Sequence, residues 1–186
     1  MGRYRLMTAA IAVLASGCAM QGGPPPMPPR AAEAPPANPL TLVAEQQANA
    51  LFGTSNLRPG AFLWVPAAQM PKTGETHMLI SLSRQHAWIY RAGTMIGLTT
   101  VSTGVIDHPT DPGRWPILDK QKFHRSNKYS NAPMPWMQRL DKWGRALHAG
   151  VVPGYPASHG CIRLPEPVAR KLFTMTRIGE TVDIEA

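Results

Sequence analysis

Between His77 and Gly104 short apolar runs alternate with turn residues, and that pattern restricts the chain to a β-rich fold. Met78-Leu79-Ile80-Ser81-Leu82 is followed by Ser83-Arg84, Ala87-Trp88-Ile89-Tyr90 by Ala92-Gly93, and Met95 to Ser102 by Thr103-Gly104. Each run is of strand length and carries side chains that pack well on a pleated surface, so a β-meander is the simplest arrangement. Ala61 to Val65 reads as a further short strand ended by Pro66, Trp115 to Leu118 as another, and Thr181 to Ile184 as the last. Helical spacing is weak in Leu40 to Phe52. It is clearer in Pro167 to Arg177, where Val168, Leu172 and Met175 share a face and Pro167 suits a first turn. Phe123 to Gly144, with Pro133 and Pro135, reads as an irregular loop, and a loop of that length is either functional or disordered. The expectation is a mainly β domain, sandwich- or barrel-like, with one or two helices.

Composition separates this domain from what precedes it. The chain has 186 residues, about one domain at ~150 residues each. No apolar run reaches the ~20 residues of a membrane-spanning helix. Cys18 and Cys161 are the two cysteines, which is too few for a disulfide scaffold or a Cys-rich zinc module. Eight of the 20 prolines lie between Pro24 and Pro39. Gln21 to Pro39 has almost nothing to bury and reads as an extended, solvated linker. The 21 residues from Cys18 to Pro39 correspond to a tether of roughly 65 Å in polyproline geometry. Before it, Arg3 and Arg5 followed by the apolar stretch Leu6 to Ala15 read as an export leader.

Ala15-Ser16-Gly17-Cys18 resembles the bacterial lipobox, with Ala15 where Leu is usual. The resemblance implies that the Cys18 thiol is acylated and anchors the protein to a membrane. Ala19, where an Asp is associated with inner-membrane retention, implies a periplasmic location on the outer membrane of a Gram-negative bacterium. The resulting division is 1–18 signal, 19–39 linker, 40–75 pre-domain segment and 76–186 catalytic domain. The net charge is +8, and loss of Arg3 and Arg5 with the leader leaves 17 basic against 11 acidic side chains. That excess suits an anionic envelope polymer or membrane surface. The export signal and the absence of a Lys/Arg cluster on one segment argue against nucleic acid.

The chemistry concentrates between His148 and Arg163. Cys161 is the only cysteine of the foldable part, and an exported protein seldom keeps an unused free thiol. A cysteine nucleophile needs a base, and imidazole is the usual partner. His159 lies two residues before Cys161, so both would face one way in an extended stretch. His148 lies thirteen before it and reaches it if Ala149 to Ala157 loops back, helped by Pro153, Gly154 and Pro156. The amides of Gly160 and Cys161 are candidates for an oxyanion hole. A helix starting near Pro165 would direct its positive end at the thiolate. Each residue taken alone is more often structural than catalytic. His148, His159 and Cys161 could also hold zinc, but no fourth ligand or catalytic Glu stands out, and neither a metal nor another cofactor is expected.

Ser158-His159-Gly160-Cys161-Ile162-Arg163 resembles the signature of L,D-transpeptidases with a YkuD-type catalytic domain, in which an upstream His-Gly precedes Ser/Thr-His-Gly-Cys. The resemblance extends over about His77 to Glu185: Gln85 to Tyr90, Val101-Ser102-Thr103-Gly104, Thr110 to Ile117, Met134-Pro135-Trp136 and Gly179 to Ile184 all match family segments. Ala149 departs from the usual Gly after the first His, and Asp111 from the usual Pro after Thr110. The family implies that Cys161 attacks the L-to-D bond of a donor tetrapeptide stem of peptidoglycan, releases D-Ala and forms a thioester. It implies His148 as general base, His159 as an orienting neighbour, and Ser158, Gly160 and Arg163 as site-forming or substrate-binding residues. Tyr129 and Trp136 are the lid candidates, with Trp136 preferred. The acceptor could be a diaminopimelate amine, a lysine of an envelope protein, a free D-amino acid or water. The last would make the enzyme an L,D-carboxypeptidase. A non-catalytic wall-binding lipoprotein is the remaining alternative. NlpC/P60 peptidases and sortases order their Cys and His differently.

Overall fold

The computed structural model describes residues 38–186, so the leader, most of the linker and Cys18 lie outside the described residues. The first helix, α1 (Pro39–Phe52), has Asn38 as its N-cap, Pro39 in its first turn and Gly53 in the left-handed region at its end. The strands are β1 (Phe62–Trp64), β2 (Thr76–Ser81), β3 (His86–Arg91), β4 (Thr94–Thr100), β5 (Gly113–Pro116), β6 (Asp119–Gln121), β7 (Met137–Arg139), β8 (Ala146–Ala149), β9 (Ile162–Leu164) and β10 (Thr181–Glu185). A second helix, α2 (Glu166–Met175), lies between β9 and β10.

The expected meander is present: β2, β3 and β4 pair antiparallel in sequence. They form the middle of a six-stranded sheet ordered β1-β4-β3-β2-β10-β5, in which β10 joins β2 in parallel. The second sheet is β6-β7-β8-β9, with β8 and β9 parallel. Residues 123–144, read above as wholly irregular, contain β7, a strand too short to show a period.

The first sheet is covered on both faces, which explains why Met78-Leu79-Ile80 is continuously apolar rather than alternating. Met78 and Ile80 of β2, Ala87 and Ile89 of β3, and Val182 and Ile184 of β10 enter the main core. There they meet Leu147 and Ala149 of β8, Ile162 and Leu164 of β9, and Val168 and Leu172 of α2. The opposite face buries Leu79, Trp88 and Leu98 against Ala44 and Ala48 of α1. Thr41 donates its hydroxyl to Glu185 Oε2 at 2.8 Å, and Arg84 pairs with Glu45 at 2.9 Å, so α1 is tied to this sheet at two points.

The two sheets are joined behind the functional motif. Ser102, just past β4, exchanges both backbone hydrogen bonds with Arg163 of β9, at 3.0 and 2.9 Å. Thr103 O accepts from the amides of Ala157 and Ser158, and Gln85 holds Thr103 through both its amide and its hydroxyl. The Val101-Ser102-Thr103-Gly104 segment is thus a sling for residues 157–163.

Candidate active site

Parallel pairing of β8 and β9 sets the site. His148 lies opposite Arg163 and Leu147 opposite Ile162 in the ladder, and the crossover 150–161 returns the chain to this position. Cys161, one residue before β9, comes beside the start of β8. Cys161, His148, Ser158, His159, Gly160 and Arg163 all line one cleft of about 630 Å³.

His148 is 8% exposed. Its Nδ1 lies 2.8 Å from its neighbour's carbonyl, Ala149 O, which accepts only if Nδ1 carries the proton. Nε2 is then the free basic nitrogen. Burial pushes the His148 pKa below the ordinary 6.5; the Ala149 carbonyl opposes this, and nearby Arg163 and His124 reinforce it. The Ala149 amide donates to Pro135 O at 2.8 Å, so the residue that departs from the family Gly fixes the imidazole from both of its peptide groups.

Cys161 is a half-buried free cysteine. Its Sγ lies 3.7 Å from Gly144 O. Burial is the largest influence and pushes the thiol up; the Ala146 N–H pulls it down, Asp141 pushes it up, and Arg145 and Arg163 pull it down. The resting pair is therefore a neutral thiol and a neutral imidazole. The expected help from a helix N-terminus is absent. β9 separates Cys161 from Pro165, and four extended residues span about 13 Å, beyond the last-turn reach of a helix dipole.

Three further expectations are corrected. Gly160 sits at φ +101°, so the 159–161 stretch is not extended and His159 does not share the side of Cys161 by alternation. His159 is exposed and stacks on Tyr129, with ring centroids 4.5 Å apart, while His108 lies 5.0 Å from it on another side. Gly160 N–H donates to Ser158 Oγ at 3.1 Å, so it is already occupied and the Cys161 amide is the oxyanion donor left at this turn. Ser158 Oγ in turn donates to Cys161 O at 2.5 Å, closing the motif on itself. Trp136 is not a cleft residue. At φ +59°, just before β7, it turns its ring onto Phe173 of α2 at 5.6 Å and packs on the main core. Tyr129 does line the cleft.

Several cleft residues were invisible in the sequence. His108 and His124, which no sequence motif marks, both line it. Arg145, also at the cleft, ion-pairs with Asp111, the residue standing where the family has Pro, and lies over the Trp115 ring at 4.8 Å. Asp141 accepts at Oδ1 from the amides of Trp143 and Arg145, both at 2.9 Å. Among the described residues, no group of three His, Cys, Asp or Glu side chains converges to hold a metal ion.

A mainly β fold of two sheets, with a histidine on one of two adjoining parallel strands and a cysteine just before the other, defines the class, and comparison with known proteins agrees. Residues 75–184 match the family model of the L,D-transpeptidase catalytic domain, YkuD, and the chain belongs to that family. An L,D-transpeptidase from Stackebrandtia nassauensis superimposes with a TM-score of 0.56 at 28% identity, covering 81% of this chain and 68% of that one. An L,D-transpeptidase from Mycobacterium tuberculosis gives 0.57 at 19% identity, covering 60% of this chain and 57% of that one. L,D-transpeptidase 3 from the same organism, solved with a faropenem-derived adduct, gives 0.54 at 18% identity and 60% of both chains. The search of curated proteins gives no match.

Proposed function

We propose that this enzyme is a peptidoglycan L,D-transpeptidase that uses Cys161 as nucleophile and His148 as base. The observation that carries this reading is the His148 ring: buried, held through Nδ1 by Ala149 O so that Nε2 is the basic nitrogen, and lining the same cleft as Cys161. As the Cys161 sulfur bonds to the carbonyl carbon on the L side of a stem's L-to-D bond, its proton passes to His148 Nε2 and the carbonyl electron pair moves to oxygen. The Cys161 N–H receives that oxyanion. Collapse re-forms the carbonyl, breaks the C–N bond and expels D-Ala, whose amine takes the proton back from His148. An acceptor amine then attacks the thioester and gives a proton to His148; the C–S bond breaks, and His148 returns the proton to the departing Cys161 sulfur.

Arg163, Tyr129 and His159 line the cleft and are assigned to the stem peptide, Arg163 to a carboxylate. Ser158 holds the motif turn. The faropenem-derived adduct of the mycobacterial relative supports a parallel reading here, covalent capture of Cys161 by a carbapenem or penem. Acylation at Cys18 and a periplasmic, outer-membrane site remain part of the proposal, supported by the lipobox-like sequence.

The test is incubation of the purified protein with disaccharide-tetrapeptide, with products read by mass spectrometry. A dimer short of one D-Ala is the expected product, and Cys161→Ala abolishes it. Tripeptide alone shifts the reading to an L,D-carboxypeptidase. No loss of D-Ala, with Cys161 still alkylatable, leaves the wall-binding lipoprotein.

A further inference from the structure

Thr110 lies outside the motif and outside the cleft lining, and its side chain is 3% exposed. Its hydroxyl accepts the Gly104 N–H at 2.9 Å, so its own proton is free for one acceptor, Gly160 O at 3.0 Å. The Gly160–Cys161 peptide is trans and planar, which makes the Cys161 N–H antiparallel to the Gly160 carbonyl. With that carbonyl drawn to buried Thr110, the N–H points away from Thr110, at a residue that lines the cleft. Among the described residues no acceptor takes the Cys161 N–H.

This orientation needs a strut. Gly160 lies at φ +101°, in a region only glycine visits freely, and a peptide flanked by glycine rotates more readily than any other. The strut itself is rigidly backed. A Cβ on Gly104 would collide with His108 O and lie 2.7 Å from the Thr110 amide, so residues 104–110 close on themselves without slack.

We propose that Thr110 is a positioning residue: its hydroxyl holds the Gly160–Cys161 peptide plane so that the Cys161 N–H is aimed at the developing oxyanion. This deepens the function proposed above and rests on Cys161 being the nucleophile. Thr110 acts only when a carbonyl oxygen gains charge. Alkylation of the same sulfur, which forms no oxyanion, is independent of it.

That difference supplies the test, run on Thr110→Val and Thr110→Ala, with Thr110→Ser as the conservative variant. Acylation of Cys161 by imipenem and turnover of disaccharide-tetrapeptide are measured beside alkylation by iodoacetamide. Deleting an oxyanion donor costs about 10²–10³ in rate, so misaiming one is expected to slow acylation and kcat by about 10- to 100-fold. KM and the alkylation rate stay within about twofold of wild type, and Thr110→Ser recovers acylation. Equal losses in acylation and alkylation would show a merely structural residue and overturn the proposal, as would no loss in either. Val and Ala each decide the question alone if the other does not fold. Turnover retained by Cys161→Ala overturns the nucleophile assignment, and the Thr110 proposal with it, whatever the Thr110 variants do.

Discussion

His148 is kept neutral by its surroundings, and this sets the pH behaviour of the site. Burial and the nearby Arg163 both act against the imidazolium, so its pKa lies below 6.5. In the proposed mechanism neutral His148 is the active form. Activity is therefore retained above that pKa and lost as pH falls through it, and the acid limb of kcat/KM is expected below pH 6.5. His148→Ala is expected to reduce turnover by about 10²–10⁴, the usual scale for a general base. The thiol is displaced the other way, above its ordinary 9.0. Iodoacetamide alkylation followed against pH should then rise with an inflection above 9. A reactive thiolate near neutrality would contradict this picture of a resting thiol that loses its proton only as it attacks.

At the scale of elements, the 141–146 corner positions the sulfur. Asp141 Oδ1 gathers the amides of Trp143 and Arg145, folding the turn so that Gly144 O and the Ala146 N–H both reach Cys161. Asp141→Ala takes the acceptor from two part-buried amide donors, a loss of about 1 kcal/mol per hydrogen bond, and is expected to lower both the melting temperature and the alkylation rate. Asp141→Asn keeps an acceptor but removes a charge that pushes the thiol up, so the alkylation inflection should move to lower pH. The same corner shows why some elements were legible and others were not. β2, β3 and β4 announce themselves because each is a full-length apolar run between turns. β6, β7, β8 and β9 have three or four residues each, and their pairing is set by partners elsewhere in the chain. The Cys161 and His148 pairing was legible from residue types and the motif. The orientation of His159 was not, because one glycine at positive φ cancels the alternation. Trp136 misled because a positive-φ turn redirects an aromatic ring from the cleft to α2. No local signal marks Asp141, Arg145 or His108, which reach the cleft through the loops that carry them.

Residues 38–186 are layered: α1, the six-stranded sheet, then the four-stranded sheet with α2. The link after the outer layer depends on another neutral imidazole. His86 Nδ1 donates to Arg84 O at 2.5 Å and Nε2 accepts the Leu57 N–H at 3.0 Å, so both nitrogens are committed. Burial is the main cause that holds its pKa below 6.5. The folded value lies below the unfolded one, so stability is complete above about pH 6.5 and declines as pH falls below it. Thermal denaturation from pH 8 to pH 5 should show that decline, and His86→Gln, which does not titrate, should reduce its slope. The Ser102 and Arg163 backbone pair has a consequence of another kind. Its two hydrogen bonds close the seam between the sheets two residues from Cys161. The Arg163 amide can trade its hydrogen for deuterium only when that seam parts, and parting it opens the main core on both sides. Arg163 is thereby expected to exchange late, and its deuterium uptake to report the parting of the two sheets.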